Sequence, residues 1–125
     1  MSAPSLEGRV FGVVDAGEGE VSSETTFHYT ESADMVSATY SGGGIRRGFL
    51  VGVRYGDVLD FRYAQLHIDG TTAGGRCRTQ IEELGDGRLR LIETWSWESR
   101  DGSGRSVVEE LPAWDASATD AAEHD

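Results

Sequence analysis

The fold is decided by residues 88–98, which read Arg88-Leu89-Arg90-Leu91-Ile92-Glu93-Thr94-Trp95-Ser96-Trp97-Glu98. Large apolar residues alternate there with arginine and small polar residues. Successive side chains of a β-strand point to opposite faces, so this pattern predicts a strand with one buried face and one face in solvent. The buried face is expected to carry Leu89, Leu91, Glu93, Trp95 and Trp97. The outer face is expected to carry Arg88, Arg90, Ile92, Thr94, Ser96 and Glu98.

Seven further runs show the same β-rich alternation, and Gly, Asp and Ser clusters separate them. The runs are Arg9–Asp15, Val21–Thr30, Met35–Ser41, Ile45–Tyr55, Val58–Asp69, Thr72–Glu83 and Ser106–Leu111. No credible helix lies between them. The connections are too short for the crossover that a parallel return needs, so consecutive strands must be antiparallel. The sequence therefore predicts an all-β fold, a single up-and-down meander of about eight strands closed into a small barrel.

The composition is that of one domain. A chain of 125 residues that is 38% hydrophobic can bury one core but not two, and 17 glycines against 2 prolines suit many tight turns. We expect the barrel to span residues 8–112. Residues 1–7 are predicted to be a flexible N-terminus, and residues 113–125 an acidic, disordered tail.

Charge and targeting signals limit the partners and the location. A net charge of −11 without a basic stripe predicts that the protein binds neither nucleic acid nor anionic membranes. The single cysteine, Cys77, cannot form an intrachain disulfide, and residues 1–7 lack the features of a secretory signal. No apolar run approaches the roughly 20 residues of a membrane helix. Together these features predict a cytoplasmic protein.

Signals for a metal or a cofactor are absent from the sequence. No spacing of His and Cys resembles a zinc site, and there is neither a dinucleotide fingerprint nor a Gly-x-Ser-x-Gly elbow. The run Gly42-Gly43-Gly44 precedes an alternating β-type segment, so it is predicted to be a hairpin turn and not the phosphate cradle that opens a helix. We therefore expect neither a bound metal nor a cofactor.

The predicted inner face mixes aromatic and polar side chains. A barrel built only for stability would be filled with Leu, Ile and Val, because each buried polar group needs a partner or costs about 1–3 kcal/mol. The mixture instead predicts a lumen that binds a small organic ligand. The expected ligand-binding residues are Thr25, Tyr40, Tyr63, Gln65, Thr79, Trp95 and Trp97.

Glu93 is the candidate catalytic residue. It lies between Leu91 and Trp95 on the predicted apolar face, where desolvation is expected to raise its pKa above the usual value of about 4.3. Perturbed carboxyl groups of this kind cluster at functional sites, where they transfer protons. The alternative is a structural Glu93 that hydrogen-bonds Tyr63 or Tyr40 and locks the barrel.

Three further side chains are candidates for chemistry. His28 shares a predicted strand face with Glu24, which could orient it as a general base, although an exposed pair is the simpler interpretation. His67 is placed near the rim of the barrel, where water reaches it. Cys77 shares the inward face, and without a histidine on its strand it is predicted to be a small core residue.

The strand at residues 45–55 is ambiguous, because either of its faces could line the barrel. One face carries Gly48 and Gly52, and the other carries Phe49 and Val51. Glycine inside leaves space for a ligand, and the sequence favours that face inward. Phe49 and Val51 would then lie outside, where a second copy of the chain would cover them in a homodimer.

Several segments carry a resemblance to a known family. They are Gly19–Tyr29, Tyr40–Gly48, Phe61–Gln65, Leu91–Trp97 and Glu109-Glu110. Together they resemble a family of small bacterial proteins often labelled N-acetylglutamate synthase. A synthase of the usual acyltransferase fold needs an α/β core with a pyrophosphate loop, and the sequence predicts neither, so the resemblance implies kinship without that activity. In fold alone the barrel resembles the calycin-like architecture of avidins and lipocalins.

Three functions are compatible with this pattern. In the first, a ligand stacks on Trp95, Trp97 and Tyr63 while polar neighbours fix its other end. In the second, the barrel is an enzyme of the cyclase or isomerase type that uses Glu93 as general acid or base. In the third, the barrel is a structural or assembly module with a packed interior. A cavity connected to solvent would favour the first two.

Overall fold

The computed structural model describes residues 3–17 and 21–112. Along these residues the chain forms β1 (Val10–Asp15), β2 (Thr26–Ser32), β3 (Met35–Gly42), β4 (Ile45–Tyr55), β5 (Val58–His67), β6 (Thr72–Glu83), β7 (Leu89–Trp97) and β8 (Ser103–Glu110). Each strand pairs antiparallel with the next, and β1 also pairs with β8, so the meander closes into a barrel. The predicted all-β fold and its closed meander are confirmed.

The barrel has two different ends, because consecutive strands of a meander run in opposite directions. We call one end the mouth, where β1 joins β2, β3 joins β4, β5 joins β6 and β7 joins β8. The other end, which holds the remaining connections, is the floor. At the mouth, Gly42 and Gly43 have φ angles of 118° and 62°, a region that favours glycine. They form the predicted hairpin turn.

The floor is closed by apolar side chains. Val36 of β3, Leu59 of β5 and Leu89 of β7 are fully buried there. Leu6, which precedes the first strand, is also fully buried and packs into the same cluster. Burying a leucine side chain stabilises the fold by roughly 1.5–3 kcal/mol. The floor is therefore a packed layer that the chain completes with a residue from outside the strands.

Arg54 holds the segment before β1 against the floor. Its guanidinium donates hydrogen bonds to the carbonyl oxygens of Ala3 and Pro4 at 2.6 and 3.0 Å. It also pairs with Glu31 at 2.9 Å, and both of these side chains are largely buried. The structure thus places residues 3–7 against the barrel, and the predicted flexibility of residues 1–7 stays a prediction.

The second strand is shorter than the predicted run Val21–Thr30, since β2 begins at Thr26. The Thr25 N–H donates to the Ser22 carbonyl at 2.9 Å, and Thr25 Oγ1 accepts from the Ser22 N–H at 3.1 Å. Side-chain to backbone bonds of this kind close a local turn in place of strand pairing. The alternation at residues 21–25 therefore belongs to a turn.

The end of the described chain follows the last strand directly. β8 begins at Ser103, earlier than the predicted Ser106, and ends at Glu110. The predicted acidic tail at residues 113–125 lies outside the described residues, as do residues 1–2. Within the described ranges, no helix is long and apolar enough to cross a membrane.

Arg88 and Arg90, which are predicted to point outward, lie on the outer face together with Arg62, and all three form ion pairs. Their partners are Asp86, Glu109 and Glu98, at 2.7, 2.8 and 3.0 Å respectively. A shift of one residue in β5 or β7 would turn these charges inward. The ion pairs therefore agree with the predicted register of both strands.

β4 turns its glycine face inward, as the sequence favours. Leu50 is buried on that face, whereas Phe49 and Val51 are 55% and 56% exposed. Ile45 is buried although it shares the spacing of Phe49, because a β-bulge between Ile45 and Arg47 shifts the pairing with β5. The homodimer expected to cover Phe49 and Val51 stays a prediction.

Candidate functional site

A cavity occupies the half of the barrel nearer the mouth. The centre of a water-sized sphere can occupy about 50 Å³ of this cavity, and the whole empty space among its lining side chains, with the part that is open solvent, is about 450 Å³. The lining residues are Val21, Phe27, Tyr40, Leu50, Phe61, Tyr63, Gln65, Cys77, Glu93, Trp95, Trp97 and Ser106. Half of them are aromatic. The barrel is thus filled at its floor and hollow toward its mouth.

The aromatic rings form a connected wall. Trp95 and Trp97 lie with their ring centroids 5.4 Å apart, and Tyr63 contacts Trp97 edge to face at 5.8 Å. On the other side of the cavity, Phe27 stacks on Tyr40 at 4.7 Å. Contacts at these distances are favourable and hold rings in fixed orientations. The wall is therefore organised by its own packing before any ligand arrives.

Glycines seat three of these rings against the barrel wall. Tyr40 pairs across the strands with Gly48, Tyr63 with Gly75, and Trp95 with Gly104. In each pair, a Cβ atom on the glycine would overlap the facing aromatic side chain. Each ring lies over bare backbone, and a larger residue there would push the ring into the cavity. The glycines thus set the width of the cavity.

A short polar chain crosses the wall between β3 and β5. The Tyr40 hydroxyl donates a hydrogen bond to Gln65 Oε1 at 2.9 Å, and both side chains are buried. Gln65 Nε2 lies 3.3 Å from His67 Nε2, and His67 Nδ1 lies 3.0 Å from Thr71 Oγ1. Rigid networks of this kind hold buried polar groups in defined positions. Two predicted ligand-binding residues, Tyr40 and Gln65, are therefore joined to a rim histidine.

Glu93 is the acidic side chain among these lining residues. The Ser106 hydroxyl donates a hydrogen bond to Glu93 Oε1 at 2.9 Å, from the position directly opposite on β8. Burial raises the pKa of Glu93 from its ordinary value of 4.5 to about 7, and the Ser106 hydrogen bond opposes this shift. Desolvation is the larger effect because no positive charge compensates it. The predicted rise of this pKa agrees with the structure.

The charge of Glu93 affects the pKa of two other buried groups, the Tyr29 hydroxyl and the Cys77 thiol. The hydroxyl of Tyr29 is fully enclosed and has no hydrogen-bond partner among the described residues. Burial raises the pKa of Tyr29, and the negative charge of Glu93 raises it further. The same two causes, in the same order, raise the pKa of the Cys77 thiol. A thiol that resists ionisation is a poor nucleophile, in keeping with the prediction of a core cysteine.

The comparisons with known proteins identify a family. The sequence model described as Avidin-like protein matches residues 4–111. The chain belongs to the avidin-like protein family. No match is found among the curated proteins or among the solved structures. The family match spans all eight strands of this avidin-like chain and supports the predicted architecture, whereas nothing supports the synthase label.

The avidin-like barrel brings together most of the predicted site residues and leaves two aside. Tyr40, Tyr63, Gln65, Glu93, Trp95 and Trp97 all line the cavity. Thr25 is fully buried, but its hydroxyl donates to the Gly42 carbonyl at 3.1 Å as part of the turn before β2. Thr79 is also buried, and its hydroxyl lies 3.5 Å from Cys77 Sγ. Neither threonine is among the residues that line the cavity.

His28 lies on β2 and Glu24 in the turn before it, so the two do not share a strand face, and Glu24 is exposed, as the favoured interpretation has it. Sequence reasoning also missed Ser106 as a partner of Glu93. Ser106 lies two residues before the buried Val108 on β8, so alternation predicts that it faces inward. This identifies Ser106 as a partner of Glu93 only when the register between β7 and β8 is known. Among the described residues, no cluster of His, Cys, Asp and Glu could hold a metal ion.

Proposed function

We propose that this avidin-like barrel binds a small organic ligand in the cavity near its mouth. The observation that carries the proposal is the composition of the cavity wall, in which aromatic rings surround a few separately placed polar groups. Binding sites for small molecules have this composition, since apolar contact provides affinity and a few polar groups fix orientation. An interior filled with aliphatic side chains, as a purely structural module would have, leaves no such space.

The wall suggests how a ligand would lie. Its flat or apolar part would contact Trp95 and Trp97 of β7 and Tyr63 of β5, whose rings meet above the intervening β6. Its polar part would reach Glu93 on the same wall or the Tyr40 and Gln65 pair across the cavity. Rings already held by packing lose little freedom on binding, which favours affinity.

The first test is direct. Native mass spectrometry of the purified protein should show an additional small-molecule mass that is lost under denaturing conditions. In fluorescence titrations with small aromatic amines, alcohols and acids, Trp97→Ala should weaken binding by about tenfold, equivalent to the roughly 1.4 kcal/mol expected for one lost aromatic contact. Phe49→Ala is the matched control, because Phe49 is an aromatic residue on the exposed outer face. Equal effects of the two substitutions would contradict binding in the cavity.

A second candidate function is proton transfer, and Glu93 is the observation that favours it. A general acid or base works best when its pKa lies near the working pH, and burial raises the pKa of Glu93 to about 7. If the barrel removes a proton from carbon, the co-purified molecule should gain deuterium when incubated with wild-type protein in heavy water. Glu93→Gln should abolish that exchange and retain binding. A molecule that binds without exchange would contradict proton transfer from carbon and leave binding intact.

A further inference from the structure

The protein provides a hydrogen bond to one of the two carboxyl oxygens of Glu93. Oε1 accepts the Ser106 hydrogen bond, and no other hydrogen bond to Glu93 is found among the described residues. Oε2 is not one of the buried atoms that lack a partner, so it remains accessible from the cavity that Glu93 lines. A donor on a ligand that reached this oxygen would form a charge-assisted hydrogen bond in the low-dielectric interior, which is stronger than a neutral one. The cavity therefore contains one fixed hydrogen-bond acceptor, the second carboxyl oxygen of Glu93, that a donor on a ligand can use.

No positive side chain enters the cavity to compensate Glu93. The sequence has eleven basic residues, and all of them are arginines. None of these arginines is among the residues that line the cavity. A buried carboxylate is stable when an opposite charge stands beside it, and an anionic ligand would add repulsion instead. When Glu93 is ionised, a compensating positive charge is therefore available only from a ligand.

The groups that face Glu93 from the other strands are neutral at physiological pH. They are Ser106 on β8, Thr79 and Cys77 on β6, and Tyr29 on β2. Their pKa values, where shifted, are raised, so none of them adds a charge near pH 7. Two ionisable groups at the rim, His67 and Arg100, have partners of their own and do not line the cavity. Glu93 thus sets the charge of the inner cavity.

The aromatic wall also suits a positive ligand. The faces of aromatic rings carry partial negative charge, and cations within about 6 Å of a ring centroid are attracted to them. The protein already shows this contact at the rim, where the Arg100 guanidinium lies 4.5 Å from the centroid of Trp97. Trp95 and Tyr63 present further rings in the same cavity as Glu93. The Glu93 carboxylate and the aromatic rings therefore both favour a positively charged ligand.

We infer that the ligand is a small organic cation, whose ammonium or amidinium group donates to Glu93 Oε2 while its apolar part contacts Trp95 and Tyr63. This inference rests on the proposed binding function and adds the chemical class of the ligand. It also gives a reason for the acid in an otherwise uncharged lining. The cation and the carboxylate neutralise each other away from water, where their attraction is strongest.

The test compares three molecules of similar shape and different charge: 2-phenylethylammonium, 2-phenylethanol and phenylacetate. Isothermal titration calorimetry at pH 7.5 should show that the ammonium binds at least tenfold more tightly than the alcohol, and that phenylacetate binds most weakly. Glu93→Gln retains an acceptor for Ser106 and removes the charge, so it should abolish the preference for the ammonium. Glu82→Gln, on the exposed outer face, is the matched control and should preserve it.

A pH series on the wild-type protein tests the inference without any substitution. Burial raises the pKa of Glu93 to about 7 in the ligand-free protein, while amines stay protonated up to about pH 10. The affinity for 2-phenylethylammonium should therefore rise on the order of a hundredfold from pH 5 to pH 8, as the carboxyl ionises. The affinity for 2-phenylethanol should not rise.

The outcomes separate the two claims. If the alcohol or the acid binds as tightly as the ammonium, if Glu93→Gln keeps the preference, or if affinity for the ammonium falls with rising pH, the inference is overturned and the binding function stands. A protonated Glu93 that donates to a neutral ligand would instead make the affinity for 2-phenylethanol fall as the pH rises, and this result would also overturn the inference. If none of the three molecules binds at millimolar concentration, the proposed function is contradicted together with the inference.

Discussion

The free energy of unfolding of the ligand-free protein is expected to fall by about 3 kcal/mol between pH 4.5 and pH 7 because of Glu93. Burial raises the pKa of this carboxyl from 4.5 to about 7 in the folded protein. Between those values the folded state keeps a proton that the unfolded state has released. The contribution of Glu93 to stability is therefore complete below pH 4.5 and is lost as the pH rises through 7.

Urea unfolding at a series of pH values checks this expectation against Glu93→Gln. Glutamine cannot ionise, so the difference in unfolding free energy between the two proteins should grow by about 3 kcal/mol over this range. Arginine partners lower the pKa of the exposed carboxyls of Asp60 and Asp86, which gives them the opposite pH dependence at lower pH. Asp60 and Asp86 are present in both proteins, so their contributions to the pH dependence cancel when the two proteins are compared. Parallel curves would show that Glu93 ionises as freely in the barrel as in the unfolded chain.

Leu91→Ala is expected to destabilise the barrel by about 2–5 kcal/mol, because it deletes buried methyl groups and leaves a void among packed neighbours. Leu91 is fully buried and pairs across the strands with Ile81 and Val108, which are also buried. A loss of this size is a large share of the 5–15 kcal/mol that stabilises a typical domain.

Ile92→Ala is the matched control for Leu91→Ala. Ile92 has the same number of carbon atoms, is next in the chain, and is only partly buried because it points to the outer face. Truncation of Ile92 should lower the free energy of unfolding by about 1 kcal/mol or less. Most of this loss would come from the lower strand preference of alanine and little from lost packing. Thermal or urea unfolding of the two variants measures the difference. Equal losses would mean that β7 does not present one face to the core and one to solvent.

Alternation alone was sufficient to place the cavity wall. Trp95, Trp97 and Glu93 share the inner face of β7 because any other assignment exposes two tryptophans and buries two arginines. The same reasoning applies to Tyr63 and Gln65 on β5. A period of two residues is a property of the strand itself, so it needs no knowledge of the neighbouring strands.

Depth along the barrel and the identity of neighbours could not be predicted in this way. Thr79 faces inward directly opposite Glu93, yet only Glu93 lines the cavity, and the spacing along β6 does not distinguish the two outcomes. Ser106 meets Glu93 because the β7 and β8 register places them opposite each other. Thr25 fits the alternation and still belongs to a turn, because its hydroxyl bonds the local backbone. Each of these features depends on contacts that a single strand does not encode.

The even number of strands also determines at which end of the barrel a fused protein would be attached. Because the meander returns to its starting end after eight strands, the chain enters and leaves the barrel at the floor, near the Leu111 N–H that donates to the Val10 carbonyl at 2.8 Å. A tag, a tether or an additional domain attached at either side of the barrel would emerge opposite the mouth. The protein can thus be anchored to a surface or displayed on a scaffold with its entrance turned toward the solution, and two barrels joined in tandem would each keep an unobstructed entrance.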